Sequence, residues 1–291
     1  MKKLFWHWMN ERHAIYVRRD AGLPRPWTKD AILDKYKFTN VYRQFDHVTL
    51  CWRNWLAWHL SSSTSSAEQL LNLVVFRTFN HPQTAYNIGW LKAWNATTRR
   101  KIIRVTDKMR DRGEQIFTGA YIVPNLGRVE SKVVIQLEVI DPILSKRDWL
   151  ANEIRCWNSM EFAWEQLTRY KGMGPFLAYE LVCDMRYMHP LLRDPPDRLT
   201  WANPGPGARR GLNRYHGRLT TKHSPRAQLI EEMHALLMQA PKHLKPSVFG
   251  GYPELEMREI EHSLCEYDKY MRVLTGDGRP RSLFKPRGDT P

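Results

Sequence analysis

The sequence predicts a mainly α-helical fold, on two observations. Apolar residues recur at the three- and four-residue spacing of amphipathic helices along most of the chain. Two short apolar runs are exceptions to this pattern. Residues 116–124 form a β-like or buried apolar run, and the spacing of residues 133–140 fits either a helix or a strand. Two helical segments flank a tight glycine-containing turn at residues 172–175. We therefore expect one helical domain over residues 1–275, built from two lobes.

The N-terminal sixty residues predict three helices. Helical spacing covers residues 4–20 and ends at the glycine- and proline-containing break of residues 22–26. Thr28 is a candidate N-cap of the second helix, and the third helix is predicted over residues 41–60. The polar run SSSTSS at residues 61–66 is expected to be an exposed loop.

The rest of the chain alternates helices with loops. Residues 190–207 are rich in proline and predict a loop. Residues 276–291 combine glycine, proline and arginine, which predicts a basic, flexible tail. The remaining predicted helices span residues 67–79, 98–112, 148–170, 208–215, 224–239 and 254–274.

The chain of 291 residues is strongly basic. It carries 45 lysines and arginines against 30 aspartates and glutamates, a formal net charge of +15. Such an excess favours an anionic partner, of which nucleic acid is the commonest. Twelve tryptophans and twelve tyrosines beside these cations suit base stacking and phosphate contact. A basic surface with no such partner is the alternative.

The four cysteines lie far apart and form no CxxC pair. The sequence therefore predicts neither a zinc site nor a disulfide framework, and no cofactor, while a requirement for a metal ion stays open. Reduced thiols fit a cytoplasmic protein. The basic N-terminal segment lacks the apolar core of a signal peptide, and no run of 18 apolar residues predicts a membrane span.

Residues 167–185 predict the helix, tight turn and helix of a helix-hairpin-helix motif. Gly172 and Gly174 let the backbone turn sharply and approach a ligand, and Pro175 suits the first turn of a helix. Free N–H groups at such a turn bind one phosphate, with Lys171 as a neighbouring cation. The motif holds a DNA backbone without reading bases. An ordinary joint between two helices is the alternative.

A second glycine-rich segment, WANPGPGARRG at residues 201–211, leads into a helix. The N–H groups of Gly205 and Gly207 and the guanidinium groups of Arg209 and Arg210 favour phosphate or pyrophosphate. The pattern GxxxxGK[ST] occurs nowhere in the sequence, so the segment is not a P-loop. A rigid turn with exposed arginines is the alternative.

Polar side chains also recur in the N-terminal helices, at helical spacing. They indicate a buried network or the wall of a site, with a purely structural set of ion pairs as the alternative. His262 and Cys265 in the last predicted helix are a weak signal for metal binding or thiol catalysis and are assigned to structure. The N-terminal set consists of Glu11, Arg12, Arg18, Arg19, Asn40, Arg43 and Asp46.

Five blocks of the sequence together resemble phage and bacterial proteins that hypermodify DNA bases. The blocks are ERHAIYVRRDAGLPRPWTKDAILDKYKFTNVYR, IFTGAY, YKGMGPFLAYELVCDM, WANPGPGARRGLNR and IEHSLCEYDKY. The group includes α-glutamyl/putrescinyl thymine pyrophosphorylases, amino acid:DNA transferases and the helical domain of 5-hydroxymethyluracil DNA kinase. The resemblance implies a two-lobed fold like that of helix-hairpin-helix DNA glycosylases.

The resemblance also implies an enzyme activity. A separate kinase pyrophosphorylates 5-hydroxymethyluracil in DNA, and an amine from an amino acid or polyamine then displaces pyrophosphate. Arg209, Arg210 and the Gly205–Gly207 loop would hold the leaving pyrophosphate, and Asn203 would orient the base, which stacks on Trp27 or Trp201. The DNA contacts implied are Arg18, Arg19, Trp27, Arg43, Lys171, Gly172, Gly174, Pro175 and Trp201.

Two acidic residues are implied as catalytic by the same resemblance. Asp194 and Asp197 follow Gly174 by 20 and 23 residues, near the spacing of the catalytic aspartate in these glycosylases. Either residue would accept the proton of the attacking amine, and capping of a loop is the alternative. Phe176 stands where lyase-type glycosylases carry a lysine, which disfavours Schiff-base chemistry.

Two other functions remain open at this point. The first is a DNA glycosylase that excises a modified base through Asp194 or Asp197. The second is a non-catalytic DNA-binding partner of a hydroxymethyluracil DNA kinase. The partner in every case is double-stranded DNA carrying modified thymine, in the cytoplasm of a phage-infected or bacterial cell.

Overall fold

A computed structural model describes residues 1–119, 126–280 and 282–284 of the protein. The chain divides into two compact units. Unit 1 combines residues 1–46 with residues 198–291, and unit 2 consists of residues 47–197. Within the described residues the regular structure is helical, and the mainly α prediction is confirmed.

The helices of unit 2 lie between those of unit 1 in the chain. Unit 1 contains α1 (Lys2–Asp20), α2 (Ala31–Lys35), α11 (Pro206–Tyr215), α12 (Arg226–His243), α13 (Pro246–Phe249) and α14 (Met257–Leu274). Unit 2 contains α3 (His47–His59), α4 (Ser66–Phe79), α5 (Pro82–Ile88), α6 (Ala96–Asp111), α7 (Lys132–Ser145), α8 (Arg147–Trp157), α9 (Met160–Thr168) and α10 (Pro175–Met185).

In unit 1, the core forms where α1 and α11 pack on α14. Phe5 of α1 is fully buried, and its ring lies 5.5 Å from that of Tyr267 and 5.8 Å from that of Tyr215. The start of α14 is fixed by a capping box between Glu256 and Glu259. These contacts hold α14 in the middle of unit 1, where its polar side chains meet the N-terminal segment.

In unit 2, α4 is the central helix and is buried along most of its length. Ser65 caps its start by accepting a hydrogen bond from the Glu68 N–H at 3.1 Å. Asn80 ends it in the left-handed conformation, at φ 48°. Phe76 packs on the ring of Trp52 at 5.4 Å. The helix supports α8 and α10, and α10 carries one of the predicted binding turns.

Several predicted boundaries differ from the structure. The helix predicted over residues 41–60 is a short 3₁₀ helix at Arg43–Phe45 followed by α3, because the chain is extended at Asp46. The helix predicted over residues 148–170 is divided into α8 and α9. Asn158 adopts a left-handed conformation at φ 43°, and Ser159 caps the next helix.

The structure also decides the two ambiguous apolar runs and the N-cap of α2. Residues 133–140 belong to the helix α7 and not to a strand. The described part of the 116–124 run, residues 116–119, contains no strand, and residues 120–124 lie outside the described residues. The cap of α2 is Asp30 instead of Thr28, since Asp30 accepts the N–H groups of Ile32 and Leu33.

The described part of the predicted tail pairs with the segment after α2. The Lys37 N–H donates to Ser282 O at 3.2 Å, and the Phe284 N–H donates to Lys35 O at 3.0 Å. Residues 281 and 285–291 lie outside the described residues. Across the described helices, none combines the length and the apolar character that a membrane crossing requires.

Candidate functional site

The predicted hairpin is a turn between α9 and α10, which pack against each other. Gly172 has φ +90°, and a Cβ there would lie 2.8 Å from Val139 Cγ2, so this position requires glycine. Gly174 is the N-cap of α10 and has an ordinary extended backbone, with φ −71°. A Cβ on Gly174 would meet no atom within 4 Å. The start of α10 is therefore open.

The residues around this helix start suit a phosphate. Pro175 occupies the first turn of α10, and Lys171 and Phe176 are exposed on either side of the turn. Met173 is buried and anchors the turn. The positive end of the helix dipole lies at Gly174, which is compatible with an anion, and phosphate binding at this turn stays a prediction.

The two acidic residues after the hairpin have different surroundings. Asp197 accepts hydrogen bonds from Ser159 Oγ at 2.7 Å and from the N–H groups of Met160 and Glu161 at 3.0 Å. It therefore caps α9, which is the loop-capping alternative. Asp194 is highly exposed and lies 3.8 Å from Arg193 Nε. A catalytic role for either residue stays a prediction.

The segment WANPGPGARRG is used for helix packing. A Cβ on Gly207 would lie 2.3 Å from Cys265 Sγ, and one on Gly211 would lie 2.2 Å from Leu264 O. These two glycines, one helical turn apart, allow α11 to lie directly against α14. The N–H of Gly205 donates to Glu261 Oε1 at 3.4 Å. A carboxylate thus already occupies the helix start predicted to receive pyrophosphate.

The two arginines of this segment point to different partners. Arg210 Nε donates to Asp268 Oδ2 at 2.8 Å, while Asp268 Oδ1 accepts from Arg214 Nε at 2.9 Å. Arg209 Nη1 lies 2.9 Å from Nδ1 of His223. Asp268 is fully buried, so these ion pairs stabilise the contact between α11 and α14. The predicted clamp of two arginines on one pyrophosphate is not preformed.

The two tryptophans predicted to stack on a base differ in access. Trp201 is 3% exposed, and the guanidinium of Arg226 lies over its ring at 5.6 Å, which leaves no open face for a base. Asn203, two residues further on, is also buried. Trp27 is half-buried, and its Nε1 donates to Leu23 O at 2.6 Å. The guanidinium of Arg25 lies over the Trp27 ring at 5.7 Å, so Trp27 is the more exposed of the two rings but not a bare one.

The predicted arginines near the end of α1 lie beside Trp27. Arg18 Nη1 donates to Glu11 Oε1 at 3.2 Å and also to the backbone oxygen of Trp27. Arg19 is exposed and stacks over the ring of Tyr16 at 5.7 Å. Both side chains therefore carry positive charge at the surface next to the Trp27 indole ring.

The predicted N-terminal network forms, although not on one helix face. Arg12 Nη2 donates to Asn40 Oδ1 at 2.8 Å and to Phe38 O at 3.1 Å. The N–H of Asn40 donates to Asp46 Oδ1 at 2.8 Å. Asn40, Arg43 and Asp46 converge because an extended segment and a 3₁₀ helix fold back on α1.

His262 of α14 completes this network from the other side. Its Nδ1 lies 3.5 Å from Arg43 Nη1, and its Nε2 lies 2.5 Å from Thr39 Oγ1 and 3.9 Å from Asp46 Oδ2. Because a guanidinium only donates, Nδ1 is the acceptor and Nε2 carries the proton of the neutral ring. Glu266 adds a carboxylate that accepts the Thr39 N–H at 3.1 Å.

Burial shifts the protonation of this polar network in unit 1. Burial raises the pKa of Asp46 to about 6, against the opposing attraction of Arg43. Burial, with repulsion from Arg43 and Lys269, lowers the pKa of His262 well below its usual value. Burial also lowers the pKa of Arg12 to about 10. The Asp46 and His262 side chains keep 18% and 11% exposure.

Comparisons with known proteins assign the chain to a family. The family described as 5-hmdU DNA kinase, helical domain, matches residues 1–279. The chain belongs to this helical-domain family. It is also 29% identical over 279 residues to a protein named 5-hmdU DNA kinase from Bacillus phage SP10. That alignment covers 89% of this chain and 43% of the relative, so the chain spans less than half of the relative's length. No solved structure matches.

The helical-domain family match over residues 1–279 includes unit 2 and most of unit 1. Within this domain, sequence reasoning found Arg12, Asn40, Arg43 and Asp46 but missed His262 as their partner. The block IEHSLCEYDKY contained the signal for His262. A histidine on a helix that is mostly buried needs hydrogen-bond partners. Among the described residues, no group of three histidine, cysteine or acidic side chains has the arrangement of a metal site.

Proposed function

We propose that this chain takes part in the hypermodification of 5-hydroxymethyluracil in DNA, as an amine transferase. In this reaction an amine displaces pyrophosphate from the 5-methylene carbon of a pyrophosphorylated base. Membership of the helical-domain family supports the DNA and the base. The name of the phage relative supports the same substrate, 5-hmdU in DNA.

The observation that carries an enzymatic role is the polar network of unit 1. Arg12, Asn40, Arg43, Asp46 and His262 are drawn together from segments more than 200 residues apart and are largely buried. Holding ionisable groups away from water costs stability, so networks with strongly shifted pKa values concentrate at functional sites. A DNA-binding surface alone does not need such a network.

The chemistry assigns a proton acceptor to this network. The amine nitrogen forms a bond to the methylene carbon, and the bond from that carbon to the pyrophosphate oxygen breaks with its electron pair. The attacking amine must then lose one proton. Asp46 is the better acceptor, since its pKa of about 6 lies near neutral pH. Burial lowers the pKa of His262 well below its usual value, so its ring stays neutral at neutral pH, and it lies beside the Asp46 carboxylate at 3.9 Å.

The α10 start supplies a place for the DNA backbone in this proposal. A Cβ on Gly174 would meet no atom within 4 Å, so there is space for a phosphate at the positive end of α10, and Lys171 adds an exposed cation beside it. The net charge of +15 provides the long-range attraction that DNA binding requires. Trp27, flanked by Arg18 and Arg19, is the ring proposed to stack on the extruded base.

A second candidate function is a non-catalytic DNA-binding part of a kinase system. Two observations favour it. The chain spans only 43% of the kinase to which it is similar. The pyrophosphate clamp is not preformed, since Arg210 is held by Asp268 and a carboxylate lies at Gly205. In this role the chain would bind modified DNA and leave the base unchanged.

The experiment uses a duplex with one 5-pyrophosphoryloxymethyl-deoxyuridine, incubated with the protein and either glutamate or putrescine. Nucleosides are then analysed by mass spectrometry. The transferase proposal predicts a nucleoside whose mass fits replacement of pyrophosphate by one of the amines. DNA that is bound but unchanged supports the second candidate. A free base with an abasic site identifies a glycosylase and contradicts both.

Variants connect this activity to the network. Asp46→Asn should lower the rate of transfer about 100-fold or more, the usual contribution of a general base. Its matched control is Asp20→Asn, an exposed aspartate of unit 1 outside the network, which should keep the wild-type rate. Equal rates for both variants would remove Asp46 from the mechanism, provided that both bind the duplex like the wild type.

A further inference from the structure

A cavity of about 420 Å³ lies along α1 in unit 1, and none of its lining residues is one that the sequence predicted for DNA or base contact. Its walls come from the first half of α1, from Tyr215 at the end of α11, and from the last turn of α12 with Lys245. Small-molecule sites have volumes of about 300 to 1,000 Å³, so the cavity has the size of one nucleotide-like ligand.

The lining of the cavity is cationic. Lys2, Lys3 and Lys245 contribute ammonium groups, and none of the three forms an ion pair with the described residues. The one carboxylate in the lining, Glu11, already accepts hydrogen bonds from Arg18 at 3.2 Å and from Thr28 at 2.7 Å. Like charges around one space repel each other, and an anion in that space removes the repulsion.

The wall behind these lysines is aromatic and held in place. The ring of Trp6 stacks on that of His243, with centroids 4.8 Å apart and planes 17° from parallel. Lys2 Nζ lies over the ring of Tyr215 at 5.7 Å. Trp6 and Tyr215 both line the cavity and are each 5% exposed, so they form a firmly held part of its wall.

Asn10 ties the two sides of the cavity together. Its Nδ2 donates to Trp6 O at 2.8 Å and to His243 O at 3.0 Å, and its Oδ1 accepts the N–H of Lys245 at 2.8 Å. All these hydrogen bonds fix backbone atoms of α1 and of the segment after α12. The backbone frame of the cavity is therefore fixed within unit 1.

From these observations we propose that the cavity binds a nucleotide. The lysines hold its phosphate groups, and the apolar edges of Trp6 and Tyr215 contact its base. A lone pyrophosphate would leave the aromatic wall uncovered, and a nucleoside without phosphate would leave the lysines unpaired. The nucleotide is either free in solution or one unit of a DNA strand. This proposal does not rest on the transfer reaction, because it concerns binding at a different place.

Isothermal titration calorimetry on the intact chain at one low salt concentration tests it. The probes are thymidine diphosphate, inorganic pyrophosphate, thymidine and an octathymidylate strand. The cavity variant is Lys3→Glu with Lys245→Glu. Its matched control is Lys29→Glu with Lys222→Glu, two exposed lysines of unit 1 outside the cavity, which changes the net charge equally.

The proposal predicts that thymidine diphosphate binds at least tenfold more tightly than pyrophosphate or thymidine. The cavity variant should lose about tenfold or more of this affinity, and the control should lose less than about twofold. If the cavity variant loses thymidine diphosphate binding but still binds the octathymidylate strand, the ligand is a free nucleotide. If the wild type binds the octathymidylate strand tenfold more tightly than thymidine diphosphate, and the cavity variant loses both, the ligand is one unit of a DNA strand.

Two outcomes overturn the proposal. One is equal loss of affinity in the cavity and control variants, which would reflect net charge alone. The other is pyrophosphate or thymidine binding as tightly as the nucleotide. Thermal unfolding of both variants separates binding from folding. None of these measurements uses the transfer assay, so the failure of this proposal is distinguishable from the failure of the proposed function.

Discussion

The helices α10 and α11 begin with the same Gly-Pro dipeptide, one in each unit. Gly174 and Gly205 are both N-cap residues in extended backbone, with φ −71° and −67°, and a proline occupies the first turn of each helix. Their surroundings differ. A Cβ on Gly174 would meet nothing within 4 Å, whereas the N–H of Gly205 donates to Glu261 at 3.4 Å.

The difference comes from the partner helix. α11 lies against α14 through Gly207 and Gly211, and the polar face of α14 supplies the carboxylates that satisfy α11. A Cβ on Gly174, at the start of α10, would meet no described atom within 4 Å. The same dipeptide therefore marks a packed helix start in unit 1 and a helix start with open space beside its N-cap in unit 2, where phosphate binding stays a prediction. Substitutions should affect stability at α11 and DNA affinity at α10.

The largest expected effect is on the ion pairs that bind α11 to α14. Asp268→Asn should lower the free energy of unfolding by about 3–5 kcal/mol, because it leaves the buried guanidinium of Arg214 without its main carboxylate. Asp277→Asn is the matched control, since Asp277 also contacts Arg214 but is exposed. It should cost less than about 1 kcal/mol. Urea unfolding measures both, and equal losses would contradict a structural role for Asp268.

The glycines of α11 give the next largest effect. Gly211→Ala should destabilise the protein by about 2–3 kcal/mol, since the new Cβ would lie 2.2 Å from Leu264 O and would push α11 off α14. Gly174→Ala places its Cβ in open space and should cost about 1 kcal/mol or less, the loss of a good N-cap residue. Similar midpoints in thermal unfolding for the two variants would refute the comparison.

His262 and Asp46, the two central residues of the polar network, should make the free energy of unfolding depend on pH in opposite directions. The native pKa of His262 is lower than the unfolded value, so the wild type loses stability relative to His262→Gln as the pH falls below about 6.5. The native pKa of Asp46 is raised to about 6, so the wild type loses stability relative to Asp46→Asn as the pH rises from about 4 to 6.

Urea unfolding at several pH values between about 4.5 and 8 measures both differences. The slope of each difference has an upper limit of about 1.4 kcal/mol per pH unit for one proton. Above about pH 7.5 neither difference should change further. A flat difference for both variants would mean that the network does not titrate differently in the folded and unfolded states, which would remove its proposed acid–base role.

The smallest expected effect concerns DNA affinity at α10. Gly174→Asp should leave the free energy of unfolding unchanged within about 1 kcal/mol, since aspartate is a good N-cap residue. It should weaken DNA binding about three- to tenfold, because the new carboxylate repels the phosphate. Gly174→Ser is the neutral control and should bind DNA like the wild type. Equal DNA binding by the Asp and Ser variants would make the turn an ordinary joint.

The sequence predicted local features better than it predicted which remote residues contact them. Helical periodicity, the turn at residues 172–175 and the polar set around Asn40 and Asp46 all have local signatures, and the structure contains each of them. The roles of Gly207 and Asp197 depend on α14 and on α9, which are remote in sequence. A glycine that admits a neighbouring helix and a glycine with open space beside it look identical in one sequence.

The same limit explains why His262 was missed. Its partners, Thr39, Arg43 and Asp46, lie more than 200 residues earlier in the chain, and spacing within α14 does not reveal them. The break of the predicted 148–170 helix at Asn158 has a simpler cause. Asparagine tolerates the left-handed conformation, and Ser159 is a good N-cap, so the two residues together were a readable stop and start signal.

One measurement tests the central claim most directly: the ratio of pyrophosphate released to base modified, on duplex DNA containing a single pyrophosphorylated 5-hydroxymethyluracil and an added amine. The account predicts one pyrophosphate for each new amine-bearing nucleoside, with both products reduced together in Asp46→Asn. Wild-type protein that binds this duplex, releases no pyrophosphate and leaves the base unchanged would contradict it.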